Sequence, residues 1–316
     1  MAYFMLVIGF ALLIKGADFF VDGASGIAHL MRISPLLVGL TIVAFGTSAP
    51  EATVSIIAAI NNSSDISIGN IVGSNILNTS LIVGVAAFLY PLKVERQTIK
   101  KEIPFTLLSG GVLLILMSDM VLRGFSNQID RSDGLIMLVF LSIFLYYVFE
   151  VAKNNRETNH RDAMPGQETW GKSFMLIIGG LIGILIGGNM VVNHATTIAY
   201  DIGMSEALVG LTVVAIGTSL PELVTSIAAA MKKQSEIALG NIVGSNIFNI
   251  LFVLGVTSTI SPLDVNGKVF TDVFVMLALT VVLLIFSRTN FKIGKAEGFA
   301  LVFVYIVYVI YIIMRN

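Results

Sequence analysis

The chain has 316 residues, 56% of them hydrophobic and 12% charged, with a formal net charge of −1 and a mean hydropathy of +0.90. A water-soluble domain carries about 25% charged residues, so the polar surface is too small to cover a soluble body, and the near-zero charge offers nothing to nucleic acid. The absence of cysteine excludes thiolate metal sites, disulfides and cysteine nucleophiles, and His29, His160 and His194 are too scattered to pair as metal ligands.

Runs close to 20 apolar residues, the length that crosses roughly 30 Å of hydrocarbon, recur along the whole chain. In chain order they predict helices over Ala2–Leu30, Ser34–Ile60, Ile66–Leu89, Ile103–Met120 and Gly134–Val151. After a hydrophilic stretch they continue over Ser173–Ala199, Ser205–Met231, Ile237–Ile260, Val269–Phe286 and Glu297–Met314. The first run begins almost at the N-terminus, contains Lys15 and shows no cleavage site, so it is expected to stay as a helix. Lys15, Asp18 and Asp22 on it read as an ion pair with a further carboxylate near the membrane interface. The hydrophilic stretch holds Asn154, Glu157, His160, Arg161 and Pro165. Residues 1–152 therefore form one five-helix unit, 153–172 a linker and 173–316 a second unit.

The second unit repeats the first. Ser34–Val85 aligns without gaps on Ser205–Val256 at a constant offset, with about 30 of 52 positions identical. Shared composition explains matching leucines but not matching polar residues at matching spacing. Gly46-Thr47-Ser48-Ala49-Pro50-Glu51 meets Gly217-Thr218-Ser219-Leu220-Pro221-Glu222. Gly69-Asn70-Ile71-Val72-Gly73-Ser74-Asn75 meets Gly240-Asn241-Ile242-Val243-Gly244-Ser245-Asn246. An odd number of helices per unit makes the two units enter the membrane from opposite sides, an inverted repeat of the kind found in secondary transporters. The loops test this. Those after odd-numbered helices hold fourteen Lys and Arg, whereas those after even-numbered helices, with the C-terminal tail, hold four. Positive charge stays on the cytoplasmic side, which puts both termini outside. The Lys232–Lys233 pair reads only as a topology anchor.

Glu51 and Glu222 stand near the middle of otherwise uncharged apolar segments. An acidic residue at that depth costs at least ~2.5 kcal/mol and faces a bundle interior or watery cavity, where it marks an ion path. Thr47 precedes Glu51 by four residues and shares its helix face. Pro50 removes a backbone donor, which frees carbonyls around Ala44–Thr47, and around Ala215–Thr218 in the repeat, as candidate cation ligands. Ser74 with Asn78, and Ser245 with Asn249, lie four apart on one face, while Asn75 and Asn246 read as packing residues that hydrogen-bond between helices. Gly69 with Gly73, and Gly240 with Gly244, have the spacing that lets helix backbones approach. The oxygens gathered here, without sulfur or histidine, suit calcium or sodium and disfavour soft metals. An enzyme is disfavoured: there is no H-E-x-x-H pattern, and neither Ser48 nor Ser74 has a histidine in its motif to activate it.

At these residues the chain resembles the calcium/cation antiporter superfamily, specifically its prokaryotic sodium/calcium exchanger branch. The resemblance spans nearly the whole chain through both G-T-S-x-P-E and both G-N-x-x-G-S-N motifs. It implies an all-α polytopic membrane protein of ten transmembrane helices arranged as two inverted five-helix repeats, lying in the cell membrane. It implies alternating access around ions held midway across the bilayer between helices two, three, seven and eight, with helices one and six sliding past that core. Carried over by position, Glu51 and Glu222 become central ligands, joined by Thr47, Ser48, Ser74 and Asn78 from one half. Thr218, Ser219, Ser245 and Asn249 come from the other, with backbone oxygens of Ala44 and Ala215. Transported Ca2+ and Na+ are then the only ligands, and no cofactor is expected. Some relatives carry aspartate where this chain has Asn249, so potassium independence is implied. Proton/calcium exchangers of the superfamily usually show G-N-x-x-E in place of G-T-S-x-P-E, which favours sodium as counter-ion. Proton coupling, and less favourably a calcium channel, stay open as alternatives.

Overall fold

Every expected apolar segment is helical where it is described, and the computed structural model describes residues 2–122, 124, 126–158, 169–201, 203 and 215–315. Among these, seven helices are long and apolar enough to cross a membrane, or eight if the bent pair Pro35–Thr47 and Ala49–Ile60 counts as one span. The chain is a multi-pass membrane protein. The fourth expected segment is shorter than the rest, Ile103–Leu116, preceded by a π-helical turn at Thr98–Glu102. Of the seventh, only Ala215–Thr218 and Leu220–Met231 lie within the described residues, and most of the expected linker lies outside them.

Burial separates a centre from a periphery. The spans Ser64–Leu89 and Ser235–Ile260 have 78% and 94% of their apolar window buried, against 17% to 33% for the other five. These two helices carry the G-N-x-x-G-S-N motifs, whose small and polar side chains have no business facing lipid. The outer helices present Phe4, Ile178, Phe303 and Ile310 outward, the surface that hydrocarbon accepts at no cost.

One pair of outer helices is joined backbone to backbone. Ala2–Met31 packs antiparallel on Trp170–Asp201 along glycines seven residues apart, Gly9, Gly16 and Gly23 on the first and Gly180 and Gly187 on the second. A Cβ at Gly16 would lie 2.7 Å from Ile184 N, and one at Gly180 would lie 2.5 Å from Phe20 N. Only glycine permits that approach. The motif glycines divide: a Cβ at Gly240 would lie 2.6 Å from Leu36 O and one at Gly244 2.7 Å from Leu40 O. Around Gly69 and Gly73 no described atom comes within 4 Å, and the segment that repeats Leu36–Val43 lies outside the described residues.

Two further departures from regular helix shape the centre. Pro50 and Pro221 sit in the first turn of Ala49–Ile60 and Leu220–Met231, where the missing N–H costs nothing. The preceding Ser48 (φ −81°, ψ 4°) makes the turn, and the two parts of that span meet at 45°. Beyond the second motif each central helix widens into a π-helical stretch, Asn78–Ile82 and Asn249–Leu254. Such insertions re-aim the side chains around them and occur mostly at functional sites.

Short antiparallel bridges tie the connections of one half to those of the other. Leu92–Lys93 pairs with Lys292–Ile293, and Gln128–Ile129 pairs with Leu263–Asp264. Next to the first bridge, burial and the facing Glu236 carboxylate push the Glu95 carboxyl up to about 7. A folded-state value above the ordinary one means that the folded protein binds this proton more tightly than the unfolded chain. The contribution is full below about pH 4.5 and is lost as pH rises through about 7. Glu95→Gln should therefore flatten the melting temperature across that window relative to the wild type; parallel curves for the two proteins would show that the pair is already relaxed by solvent.

Candidate functional site

Each acidic motif places its glutamate in the first turn of a helix whose N-terminus is buried, Glu51 in Ala49–Ile60 and Glu222 in Leu220–Met231. The helix dipole favours negative charge there, and proline at the turn leaves the carboxylate in place without demanding another backbone partner. Both glutamate side chains are 0% exposed. Each is gripped by a serine from the opposite half. Ser219 Oγ donates to Glu51 Oε1 at 2.9 Å, and Ser48 Oγ donates to Glu222 Oε1 at 2.9 Å. Ser219 also lies 3.0 Å from Ser74 Oγ, which links the acidic motif of one half to the central helix of the other.

One turn beyond Ser74 and Ser245, the amides are fixed in the same crossed manner. Asn78 Nδ2 donates to Asn246 Oδ1 at 3.1 Å, and Asn249 Nδ2 donates to Asn75 Oδ1 at 3.1 Å. Asn75 Nδ2 in turn reaches Asn246 O at 3.1 Å, and Asn246 Nδ2 reaches Thr79 Oγ1 at 2.8 Å. Asn75 and Asn246 are the interhelical hydrogen-bonders that their sequence position suggests, and through these bonds they also orient Asn78 and Asn249. With the nitrogens of Asn78 and Asn249 committed, their oxygens are turned elsewhere.

The acceptors left over share one character. Glu51 Oε2, Glu222 Oε2, Asn78 Oδ1, Asn249 Oδ1 and the Oγ of Ser245 are buried with no hydrogen-bond partner. A single buried acceptor left unmade costs about 1–3 kcal/mol, and more when charged. Five of them in connected motifs form an oxygen set that a hard cation could satisfy. The donors are all hard oxygens, and among the described residues no group of three or more His, Cys, Asp or Glu is placed to hold a metal ion, so any ligation here must draw on amide and hydroxyl oxygens beside the two carboxylates. Thr225, one turn after Glu222, adds another unpartnered buried hydroxyl that the sequence reading did not single out.

The remaining expected residues fall as follows. Thr47 Oγ1 donates to Asn241 Oδ1 at 3.0 Å, and Thr218 Oγ1 to Asn70 Oδ1 at 3.3 Å. The Ala44 carbonyl is not freed as expected, since Ser48 N–H still donates to it at 3.0 Å. Proline at 50 removes the donor that Gly46 would have received, not the one Ala44 receives, so Ala44 offers only its second lone pair. Ala215 opens the short helix Ala215–Thr218. Asn70 and Asn241 were passed over in the sequence, although their recurrence in both motifs was a signal. Lys232 is more than a topology anchor: its Nζ lies 2.7 Å from Asp22 Oδ1 and 3.7 Å from Asp18 Oδ1, tying the first helix to the end of Leu220–Met231. Lys15 pairs with Asp18 at 3.7 Å, as its spacing suggested.

Comparison with known proteins places the chain in a family. Residues 1–150 and 172–314 match the family described as sodium/calcium exchanger protein. The sodium/calcium exchanger MaX1 of Methanosarcina acetivorans is 33% identical over 98% of this chain and 97% of its own. Inner membrane protein YrbG of Escherichia coli is 34% identical over 93% of this chain and 91% of its own. The solved structure of the sodium-calcium exchanger NCX_Mj, soaked with zero Na+ and Ca2+, superposes with a TM-score of 0.84 at 32% identity, covering 98% of both chains. On a match that takes in both halves and both pairs of motifs, this chain belongs to the sodium/calcium exchanger family.

Proposed function

We propose that this protein is a secondary active antiporter that exchanges sodium for calcium across the cell membrane by alternating access. Its ten helices form two inverted five-helix halves with both termini outside. Calcium or sodium binds between the halves, held by Glu51, Glu222, Asn78, Asn249, Ser74, Ser245, Ser48, Ser219, Thr47 and Thr218, with carbonyl oxygens of Ala44 and Ala215. The observation that carries this reading is the set of buried, unpartnered oxygens on Glu51, Glu222, Asn78, Asn249 and Ser245. Two carboxylates match the charge of one calcium ion or of two sodium ions. The same set therefore accepts either cargo but not both, which is what exchange at a single site requires. The crossed serine and asparagine contacts hold the ligands in place before the ion arrives, so little ordering cost falls on binding.

Flux into proteoliposomes tests the reading. Calcium uptake should follow an outward sodium gradient and stop when sodium is replaced by choline. Uptake driven by a proton gradient and indifferent to sodium would make it a proton/calcium exchanger, and uptake needing no counter-ion would make it a pore.

Asn249→Asp adds a third carboxylate to the site. It also turns the donor that Asn75 Oδ1 now receives into an acceptor. Calcium affinity or the sodium dependence of exchange should change; an unchanged profile in the flux assay would remove Asn249 from the ligand set.

A further inference from the structure

We propose that Asn70 and Asn241 are positioning residues that draw the hydroxyl proton of the opposite half's motif threonine away from the ion, so that the threonine presents lone pairs to it. The proposal rests on the ligand set given above and adds residues outside it.

The geometry is the same twice over. Thr218 Oγ1 donates to Asn70 Oδ1 at 3.3 Å, while Asn70 Nδ2 donates to Glu51 O at 3.2 Å and to Ser55 Oγ at 2.9 Å. Thr47 Oγ1 donates to Asn241 Oδ1 at 3.0 Å, while Asn241 Nδ2 donates to Glu222 O at 3.5 Å and to Ser226 Oγ at 2.9 Å. A side-chain amide has one acceptor oxygen and two N–H groups, and all three are used at both positions. The amide of one half therefore holds the glutamate turn of its own half and the threonine of the other half in one rigid unit. A chance interhelical contact of a buried asparagine has no reason to recur with the same three partners after a duplication.

The direction of the threonine bond gives the residue its effect. A hydroxyl carries one proton, and where that proton points decides whether the oxygen attracts or repels a cation. For Thr47 the competing acceptors are Ala44 O, at 3.4 Å, and the Glu222 carboxylate. With Asn241 in place the nearer amide oxygen takes the proton, which leaves a lone pair on Ala44 O and the lone pairs on Thr47 Oγ1. Without it, the proton turns to Ala44 O or to the Glu222 carboxylate and occupies an oxygen of the ligand set either way. Aspartate at either position keeps the acceptor but forfeits the N–H groups, and leucine of similar shape forfeits both. Asparagine is the side chain that serves all three contacts with no added charge.

Because the asparagine acts through the threonine, the effect belongs to ion affinity rather than to turnover. The partners are also specific, since Asn70 is matched with Thr218 and Asn241 with Thr47. The experiment is a pair of double-mutant cycles on the full-length protein in detergent, with calcium binding measured by isothermal titration and calcium uptake measured in proteoliposomes. Asn241→Ala should raise the half-saturating calcium concentration roughly 5- to 10-fold, the worth of about one hydrogen bond, and leave the maximal rate within about twofold. Thr47→Val should cost less in that background than it does alone. The mismatched combination Asn241→Ala with Thr218→Val should give the product of the two single effects, and Asn70→Ala should show the mirror pattern with Thr218→Val. Gel-filtration profiles matching the wild type remove unfolding as a cause. Additive matched pairs, or a loss confined to maximal rate, overturn the proposal. Glu51→Gln serves as reference: if it abolishes binding while Asn241→Ala and Asn70→Ala bind like wild type, the positioning role alone fails. If Glu51→Gln binds calcium like wild type, both the ligand set and this proposal fall.

Discussion

Neutralising either buried carboxylate, by Glu51→Gln or Glu222→Gln, is expected to abolish calcium exchange while the protein folds as before. Glutamine matches glutamate in size, and its oxygen still accepts the bond that Ser219 or Ser48 now gives to Oε1. The changed quantity is charge. At ~4 Å and an effective dielectric constant of ~20, a unit charge pair is worth ~4 kcal/mol, and a doubly charged ion doubles the stake. Even the smaller figure lowers calcium affinity by about a thousandfold, beyond the range of any flux assay. Folding is expected to survive because glutamine keeps the serine contact and removes a buried carboxylate whose desolvation is costly. Apo-protein melting temperatures at or above the wild-type value, together with absent uptake, are the expected pair of results. Near-normal uptake in either variant would take that residue out of the site.

The glycine seam between the first and sixth expected helices should be equally intolerant, for steric reasons. Gly180→Ala places a Cβ 2.5 Å from Phe20 N and 2.7 Å from Gly16 O. These are backbone atoms that have no rotamer to escape into, so the whole helix must move. Overpacking of this kind costs about 1–3 kcal/mol. The adjacent Gly179 has no described atom within 4 Å of such a Cβ, and alanine in mid-helix is about 1 kcal/mol better than glycine. Gly180→Ala should therefore lower the melting temperature and Gly179→Ala should leave it unchanged or raise it. Thermal melting followed by size-exclusion chromatography separates the two, and equal effects at both positions would contradict the seam. Larger side chains at Gly180 should separate the helices and cost expression as well.

The broad arrangement was legible in the sequence because its strongest signals are chemical and periodic. Apolar run length placed the expected helices to within a few residues where they are described, except that the fifth continues to Thr158 rather than Val151. Two glutamates with the same escort, separated by the offset that relates Asn75 to Asn246, pointed to a single shared site. The parts that were not legible depend on who meets whom across the fold. That Asn75 and Asn246 would hydrogen-bond between helices was legible, but nothing in a linear motif tells which amide will face which. Asn70 and Asn241 were overlooked for the same reason, although their bonds cross from one half to the other. The π-helical stretches at Asn78–Ile82 and Asn249–Leu254 have no residue signature of their own. Nor did the glycines at 9, 16, 23, 180 and 187 stand out, since their seven-residue spacing lacks the familiar four-residue pattern and acquires meaning only once the partner helix is known. The Ala44 carbonyl shows the limit of reasoning from proline alone: which carbonyl loses its donor depends on counting back four residues, and Ser48 keeps Ala44 supplied.

The central proposal is that two acidic side chains, one from each half, share a single cation. Strontium diffused into crystals of the protein, followed by an anomalous difference map, tests it most directly. The expected result is a peak between the halves with oxygens of both Glu51 and Glu222 in its coordination shell. A peak touching only one of them, or a strontium-soaked crystal with density at the surface alone and the two carboxylates apart, would contradict it.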